Sequence, residues 1–509
     1  MWQPVTNMRR AERQRSLLLL RFLTLGCFLS TSAQVSAQPE AEEEVPAPAT
    51  ERPEQEGGAP SEGEDEATTE APEAEVVEKR TTIGPSLTAE LPASAEKLRY
   101  PIPERGFHIP TNVKADLKNA FPRRGSVLPS IPPPRPYFEF KVGLYERIGL
   151  KLAFSYQMIA LGASSAKPAG EDLSQGKQTA WAGGLLIEAQ WVFYQREKDY
   201  PGSLVTAFDW RHTFQNTAQP AFLSLDTGSA WAHDTYYLSW RPWFPVLFYE
   251  QAFKKDMFVL RFGNLSTPRF LDFFRFKDPR TSFSGGPFTG PANINPFAAP
   301  GFGIQFDLRP IKDNELYFTG IVHDQNARIE AYSWNEFFTK ANLYYGLEIG
   351  YFWKRAPGDF DHLHVNVIYA DAPAEPRPVG AVLGVGSEPG WVFKAHGSKQ
   401  IDRWVVFGNY TYNTAQGGPF GLTVADHSVT GGLAFLRPFH INGEWSLGAV
   451  WAKPINRTLR DQYGIETYWK VLLAEYVWVT PELQLIFKPT YNTTKNVLAV
   501  GGIKLRLFF

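Results

Sequence analysis

The sequence has little of what several protein classes require. Its 509 residues include one cysteine, Cys27, which excludes a disulfide framework and a cysteine-based zinc site. No run of 18 uninterrupted apolar residues occurs, so no transmembrane helix is predicted. The chain also lacks a phosphate loop, a dinucleotide fingerprint and a Gly-x-Ser-x-Gly motif, so we expect no enzyme and no cofactor. The formal net charge of −2 argues against a nucleic-acid partner.

This small net charge is the sum of segments of different sign. Residues 1–37 carry five Arg and one Glu, and their basic start, short apolar centre and Val35-Ser36-Ala37 ending predict a secretory signal peptide. Residues 38–80 carry fifteen acids against three bases and no aromatic residue, which predicts a disordered acidic segment. Residues 81–136 contain Pro runs and are interpreted as a periplasmic linker or N-terminal segment, with a short helix near 112–121. The remainder, 137–509, is assigned to one folded domain.

The folded domain alternates apolar and polar residues with a period of two. Leu150, Leu152 and Phe154, for example, share one face of a segment, and Lys151 and Ala153 share the other. Because successive side chains of a strand point to opposite faces, this pattern predicts strands with one apolar face. We predict sixteen strands, at 150–161, 181–194, 203–214, 234–241, 256–263, 301–308, 314–322, 345–353, 362–370, 389–396, 403–411, 427–436, 444–452, 464–475, 482–490 and 498–509.

The connections between these segments predict the architecture. Those that follow odd-numbered segments are mostly long, and those that follow even-numbered segments are mostly short. Long extracellular loops that alternate with short periplasmic turns are typical of an outer-membrane barrel. The expected fold is therefore all-β, a transmembrane antiparallel β-barrel of sixteen strands in the bacterial outer membrane, with the N-terminal tail in the periplasm. Trp240, Trp243 and Phe244 would then belong to the aromatic girdle at the periplasmic rim.

The C-terminus carries the sharpest local pattern. Phe509, Leu507 and Leu505 alternate with Phe508, Arg506 and Lys504, and the chain ends on the aromatic residue. This ending resembles the signal by which outer-membrane barrels are recognised for assembly, which implies the barrel-assembly machinery and outer-membrane lipid as partners. An ordinary amphipathic edge strand is the alternative, but an unpaired strand at the chain end would invite aggregation.

The third long loop, 264–300, resembles in position and length the loop that narrows the barrel of general porins, and this resemblance makes it the candidate constriction of the pore. It contains seven Phe and six Pro, and a loop of this length is usually functional or disordered. Its charged residues are Arg269, Asp272, Arg275, Lys277, Asp278 and Arg280. Charges in a pore set its selectivity, and aromatic faces would suit the apolar faces of sugars. The alternative is a loop whose Phe side chains only pack on the barrel wall.

Polar residues on the alternate faces of the strands are the candidate lining of the pore. They are Lys151, Glu188, Asp209, Arg211, Arg261, Asp307, Glu348, Lys504 and Arg506. With Arg241 added, bases outnumber acids in this set, so an anion-preferring or general porin is the alternative to a sugar porin. A secreted, soluble β-rich carbohydrate-binding protein is a further alternative.

Several stretches of this sequence resemble one family of porins. GFGIQFDLRP (301–310), LYFTGIVHDQNA (316–327) and the final residues 459–509 are similar to the OprB-type carbohydrate-selective porins. The resemblance implies a sixteen-stranded barrel that passes sugars and small hydrophilic solutes by passive or facilitated diffusion, as a monomer or a homotrimer. It is incomplete at Phe407-Gly408-Asn409-Tyr410, because the family pattern has a basic residue where this chain has Asn409.

One histidine pair is a possible metal site. In Asp361-His362-x-His364 the two histidines share one face of a predicted strand. The sequence offers no clear third ligand near them, so two polar side chains in the lumen are the favoured interpretation, and no metal site is predicted.

Overall fold

The computed structural model describes the barrel and short parts of the chain that precedes it. The described residues are 113, 116–117, 125–128, 135–166, 176–214, 217–254, 257–272, 274–289, 299–310, 315–332, 334–353, 361–374, 387–415 and 424–509. The predicted signal peptide and acidic segment lie outside these residues. Val113, Asp116 and Leu117 are helical and buried.

Sixteen antiparallel strands close into a barrel, which confirms the predicted fold. Each strand pairs with its neighbours in the sequence, and β1 closes the barrel on β16. The strands are β1 Leu150–Ala163, β2 Thr179–Tyr194, β3 Gly202–Thr213, β4 Trp240–Phe253, β5 Phe258–Leu265, β6 Gly301–Leu308, β7 Leu316–Asp324, β8 Leu343–Trp353, β9 Asp361–Ala370, β10 Gly390–Ile401, β11 Trp404–Asn413, β12 Ala425–Leu436, β13 Gly443–Pro454, β14 Gln462–Ala474, β15 Val477–Phe487 and β16 Val497–Phe508.

The period of two separates an apolar outer face from a polar inner face. On β2, Trp191 and Phe193 are exposed on the outside, whereas Glu188 and Gln190 are buried on the inside. The same alternation on β16 exposes Ile503 and buries Lys504 and Arg506. The barrel therefore has its apolar surface outside and its polar side chains inside, the reverse of a soluble β-barrel.

One helix that the sequence did not predict leads into the barrel. Helix α1, Arg135–Ile148, packs Phe138 and Val142 against Tyr476 in the turn between β14 and β15. It ends at Gly149, whose φ of +79° is the left-handed conformation that favours glycine after a helix. Gly149 also lies so close to the backbone of Val192 that a side chain would collide with it. The first strand is thereby aligned against β2.

The predicted position of the fourth strand is wrong. The sequence predicts the fourth strand at 234–241, but β4 is Trp240–Phe253. Residues 234–239 belong to the loop before it. Pro242 and Pro245 are unusual within a strand, since proline cannot donate to a ladder. The structure accommodates them where the pairing of β3 with β4 is irregular, between Ala207 and Arg211. Trp240, Trp243 and Phe244 consequently lie at the start of β4, on the rim of the long loops and not on the predicted periplasmic rim.

The alternation of connection lengths remains with the corrected strands. Long loops such as 214–239 and 266–300 follow odd-numbered strands, whereas 402–403 and 475–476 are two-residue turns after even-numbered strands. Short helices interrupt the long loops: α2 Leu223–Thr227, α3 Gly286–Thr289 and α4 Trp334–Thr339, together with single 3-10 turns at Pro220–Phe222 and Thr267–Arg269. A further 3-10 turn, Pro438–His440, lies between β12 and β13. No helix among the described residues is long and apolar enough to cross a membrane.

Candidate functional site: the interior of the barrel

The described part of the loop 266–300 (266–272, 274–289 and 299–300) lies inside the barrel and is attached first to β9 and β10. Asp272 is almost completely buried, and its carboxylate accepts from Lys394 Nζ at 2.5 Å and contacts His364 Nε2 at 3.1 Å. Its backbone N–H donates to Glu348 on β8. Burial alone would raise the pKa of Asp272, but Lys394 and Lys277 more than offset it and hold that pKa well below its usual range. Asp272 is therefore ionised and fixes the loop to the wall.

A second attachment lies across the interior, on β14 to β16. The Glu466 carboxylate accepts from the backbone N–H groups of Ser284, at 2.6 Å, and Gly285, at 3.0 Å. Glu482 accepts from the Ser284 hydroxyl at 2.6 Å and pairs with Lys504 at 2.9 Å. Between Asp272 and Ser284 the loop thus crosses from one side of the wall to another.

Arg280, between these two attachments, joins the loop to a residue that precedes the barrel. Its guanidinium donates to Asp278 at 2.7 Å and to Asp116 at 2.8 Å, and Asp116 also contacts Arg506 at 3.2 Å. Burial would raise the pKa of Asp116, but Arg280 and Arg506 outweigh it and lower the pKa to about 2. No local pattern in the sequence indicates that residue 116 lies inside the barrel, because this ion cluster joins residues far apart in the chain.

The described Phe side chains of this loop pack on the wall. Phe274, Phe276 and Phe283 surround Phe407 of β11, with ring centroids 4.9, 5.6 and 5.7 Å from it. Phe288 stacks on Phe283 and approaches Gly448 so closely that a Cβ there would lie 2.5 Å from its ring. The expectation that these rings present open faces to a sugar is therefore wrong for the described Phe residues, since all of them are buried.

The loop 214–239 also lies inside the barrel, which the sequence analysis missed. Gln462 of β14 accepts from the Ala230 N–H at 2.9 Å, and Gln484 of β15 donates to the His233 carbonyl at 2.8 Å. The two inner loops touch, since the Gly286 N–H donates to the Ala232 carbonyl at 2.9 Å. The predicted strand 234–241 lies mostly in this loop, where Thr235 contacts Thr289 of the other inner loop at 2.8 Å and Tyr236 packs on Arg211 of the wall.

The predicted lining residues all point to the interior, where acidic and basic groups are paired. Arg211 donates to Asp209 at 2.6 Å and lies between the rings of Tyr236 and Trp240. The remaining contacts are Arg261 with Glu250 (2.7 Å) and Asp307 (2.5 Å), Glu188 with Arg269 of the loop (3.1 Å), Glu348 with Tyr317 (2.5 Å), Lys151 over the Tyr145 ring (4.9 Å), Lys277 with the Leu271 carbonyl (2.6 Å) and Arg275 with Gln400 (2.7 Å).

The expected excess of basic side chains on the inner wall is not found. Arg241 does not face the interior, since its side chain is 88% exposed. Four glutamates that the sequence count omitted do face inward, namely Glu250, Glu444, Glu466 and Glu482. Among the described wall residues, acids are therefore not outnumbered by bases.

Three histidines meet on the inner wall, which the sequence analysis did not foresee. His362 and His364 of β9 are joined by His396 of β10, which lies directly across from His364 in the ladder. All three are buried, and one ring nitrogen of each lies within 4.8 Å of the others. If the predicted strands 362–370 and 389–396 are paired from the turn between them, His364 lies opposite residue 395. Counting cross-strand pairs in this way would have located the third histidine to within one residue.

Comparisons with known proteins identify the fold. No known protein family and no curated protein matches the sequence. Among solved structures, OprB of Pseudomonas putida at high pH has a TM-score of 0.51 and 13% identity, over 73% of this chain and 97% of that one. The low-pH form has a TM-score of 0.41 and 11% identity, over 73% and 96%. A triple mutant of Rhodopseudomonas blastica porin has a TM-score of 0.42 and 10% identity, over 71% and 100%. At these identities the likeness concerns the barrel fold alone.

Proposed function

We propose that this protein is an outer-membrane porin through which small hydrophilic solutes, including sugars, diffuse passively. The apolar outer face fits lipid, and the polar inner face fits a water-filled path. One observation carries the proposal. The loop 266–300 crosses the interior and is held on one side by the ion pair of Asp272 with Lys394 and on the other by hydrogen bonds of Ser284 to Glu466 and Glu482. A barrel narrowed from within by its own loop suits a size-limited channel.

The proposed constriction is formed by both inner loops. The charged residues of 266–300 are committed mainly to fixing that loop, because Asp272, Lys277, Asp278 and Arg280 are buried in ion pairs or hydrogen bonds. Only Arg269 and Arg275 among its predicted charges are more than slightly accessible. Selectivity for charge would therefore be weak, and we favour neutral solutes over anions as the main cargo. The sugar preference itself rests on the resemblance to OprB-type porins in sequence.

Liposome swelling with a graded series of sugars tests the proposal. Purified full-length protein should accelerate swelling in small sugars and lose this effect as the sugar grows. A variant in which residues 274–289 are replaced by a short Gly-Ser linker should admit larger sugars, because the segment between the two attachments is removed. No acceleration by the intact protein or by the shortened variant would refute the channel, and equal size limits for the two would refute the constriction.

Planar bilayers separate the two porin hypotheses. A sugar channel should conduct ions with little selectivity and show a lower current when maltose-like sugars are added. An anion channel should show a reversal potential displaced toward that of the anion and no block by sugar. Cell fractionation addresses the soluble alternative, since a monomer that stays in solution without detergent would exclude the barrel in a membrane.

The C-terminal signal and the oligomeric state belong to the same proposal. Leu505 and Leu507 point outward, and Phe509 exchanges two backbone hydrogen bonds of 2.8 Å with Phe154 of β1. We propose that the barrel-assembly machinery recognises these three residues. Deletion of Phe509 should lower the amount of folded barrel in the outer membrane. Mass measurement in detergent would distinguish a monomer from a homotrimer.

A further inference from the structure

We propose that His362, His364 and His396 form a binding site for a transition-metal ion on the inner wall, with Zn²⁺ or Cu²⁺ as the ions of best fit. Imidazole nitrogens are favoured ligands of both, and three histidines with one open position form a common zinc site. The inference depends on these residues and not on what passes through the barrel.

The first support is the geometry of the strands. His364 and His396 are cross-strand neighbours on β9 and β10, and His362 lies two residues from His364 on the same inward face. The ring centroids of His364 and His396 are 4.8 Å apart, as are those of His362 and His364. Because all three belong to one rigid ladder, they stay together without help from a loop.

The second support is the way in which each imidazole is oriented by one nitrogen. His364 Nε2 contacts Asp272 Oδ1 at 3.1 Å, His362 Nε2 contacts the Tyr317 hydroxyl at 2.9 Å, and His396 Nδ1 contacts Asn409 Oδ1 at 2.5 Å. Metal-bound histidines typically use their second nitrogen in this manner, with a carboxylate, carbonyl or hydroxyl as partner. The nitrogens of His364 and His396 that remain for a metal are then Nδ1 and Nε2, respectively, and His362 supplies the third ring nitrogen of the cluster.

The third support is that the structure leaves two of these nitrogens buried without a partner. His364 Nδ1 and His396 Nε2 make no hydrogen bond, although both side chains are almost completely buried. Buried polar atoms normally have a partner, so two that share one small space indicate a missing ligand. Zn–N bonds of about 2.0–2.1 Å place the ligand nitrogens of a tetrahedral site about 3.4 Å apart, so the three nitrogens, now within 4.8 Å of one another, would have to approach by up to about 1.4 Å.

The proposed site also contacts the loop 266–300. Asp272, which orients His364, is the residue that attaches the loop to the wall, and the Phe274 ring lies 4.9 Å from the His396 ring. An ion bound here would therefore stiffen the loop where it meets β9 and β10. The open fourth position would be left to water.

The test is metal binding by the full-length protein in detergent, with Zn²⁺ alone as the probe. Wild-type protein should retain one Zn²⁺ per chain after gel filtration, whereas His364→Asn and His396→Asn should lose it. Asn409→Ala should weaken binding by about 10-fold, because it removes only the group that orients His396. His323→Asn is the matched control and should keep the ion, since His323 is equally buried but both of its nitrogens contact backbone oxygens.

Cu²⁺ bound to the wild-type barrel supplies a measurement that needs no variant. The electron paramagnetic resonance spectrum of the bound Cu²⁺ should show coupling to imidazole nitrogens. Because this spectrum is recorded on the wild type, it remains informative even if a histidine variant fails to fold. No Zn²⁺ retained by the wild type would overturn the site. The site would also be overturned if wild type and His396→Asn retained equal amounts of Zn²⁺, or if the Cu²⁺ spectrum showed no nitrogen coupling.

Discussion

The two loops that fold into the barrel are held there by different forces. The loop 266–300 is fixed by charged groups: Asp272 meets Lys394, and Arg280 meets Asp116. The loop 214–239 is fixed by the neutral amides of Gln462 and Gln484, which bond to backbone groups, and by a charged donor, Arg211, which bonds to the Tyr236 carbonyl. A buried ion pair is costly to break, because the partner that remains keeps its charge without compensation. A neutral hydrogen bond is worth far less.

This difference indicates that the two loops have different stabilities. The charged loop crosses the interior and should detach only when an ion pair is destroyed. The loop 214–239 rests partly on it, through the bond from Gly286 to the Ala232 carbonyl. We therefore expect that changes in 266–300 loosen both loops, and that changes in the contacts of 214–239 stay local.

The largest expected effect is that of Asp272→Ala. The substitution leaves Lys394 buried without its acceptor, which should cost about 3–5 kcal/mol in the free energy that holds the loop. Single-channel conductance should rise, and protease should cut within 266–300. The double variant Asp272→Ala, Lys394→Met is the control and should recover part of the stability. Wild-type conductance and protease resistance in Asp272→Ala would contradict this account of the loop.

Arg280→Ala should have a smaller effect, because Arg506 still compensates Asp116. We expect a loss of about 2–3 kcal/mol, the value of hydrogen bonds to charged groups. Arg275→Ala is the matched comparison on the same loop. Arg275 is only half-buried and donates to a neutral amide, Gln400, so its removal should cost about 1 kcal/mol or less. Urea titrations in detergent would rank the two, and the opposite order would show that Arg280 does not join the loop to Asp116.

Asp234→Asn tests the other loop through its pH dependence. Burial raises the pKa of Asp234 from 3.8 to about 7, although its Oδ1 accepts from the N–H groups of Tyr236 and Tyr237. A carboxyl whose pKa is raised in the folded state favours the protonated form there. The free energy that holds the loop 214–239 in place therefore falls as pH rises from about 4 to about 7, by about 1 kcal/mol per pH unit. Above that range the whole loss of stability caused by ionisation of Asp234 is present.

Asparagine removes this penalty and keeps the acceptor. The advantage of Asp234→Asn over the wild type should thus grow with pH, measured as hydrogen exchange of the Tyr236 and Tyr237 amides between pH 5 and pH 8. Burial also lowers the pKa of the neighbouring His233 to about 4, but His233 is present in both proteins, so its contribution cancels in the difference. A difference that is constant with pH would mean that Asp234 does not titrate in this range.

The most local effect is expected of Gln484→Ala. It removes one neutral donor and one contact to His233, and about 1 kcal/mol should be lost for each neutral bond. Exchange of the amides in 214–239 should accelerate while those of 266–300 stay unchanged. If exchange in both loops rises equally, the two loops form one unit and the comparison between them fails.

The sequence alone determined the barrel and the faces of its strands. Period-two alternation is a local property, so fifteen of the sixteen predicted segments overlap their observed strands over most of their length. The predicted fourth segment, 234–241, lies largely outside its strand, β4 Trp240–Phe253. The inward residues on the strands followed from the same alternation, as with Glu188 and Lys504.

Only the tertiary structure decided what meets inside the barrel. Asp116 with Arg280, Asp272 with Lys394, Gln484 with His233, and His396 with His364 join residues that are distant in the sequence. Their encounter depends on closure of β1 on β16 and on the path of two loops through the interior. Alternation identifies the face on which a side chain lies, but it carries no information about which loop folds across that face.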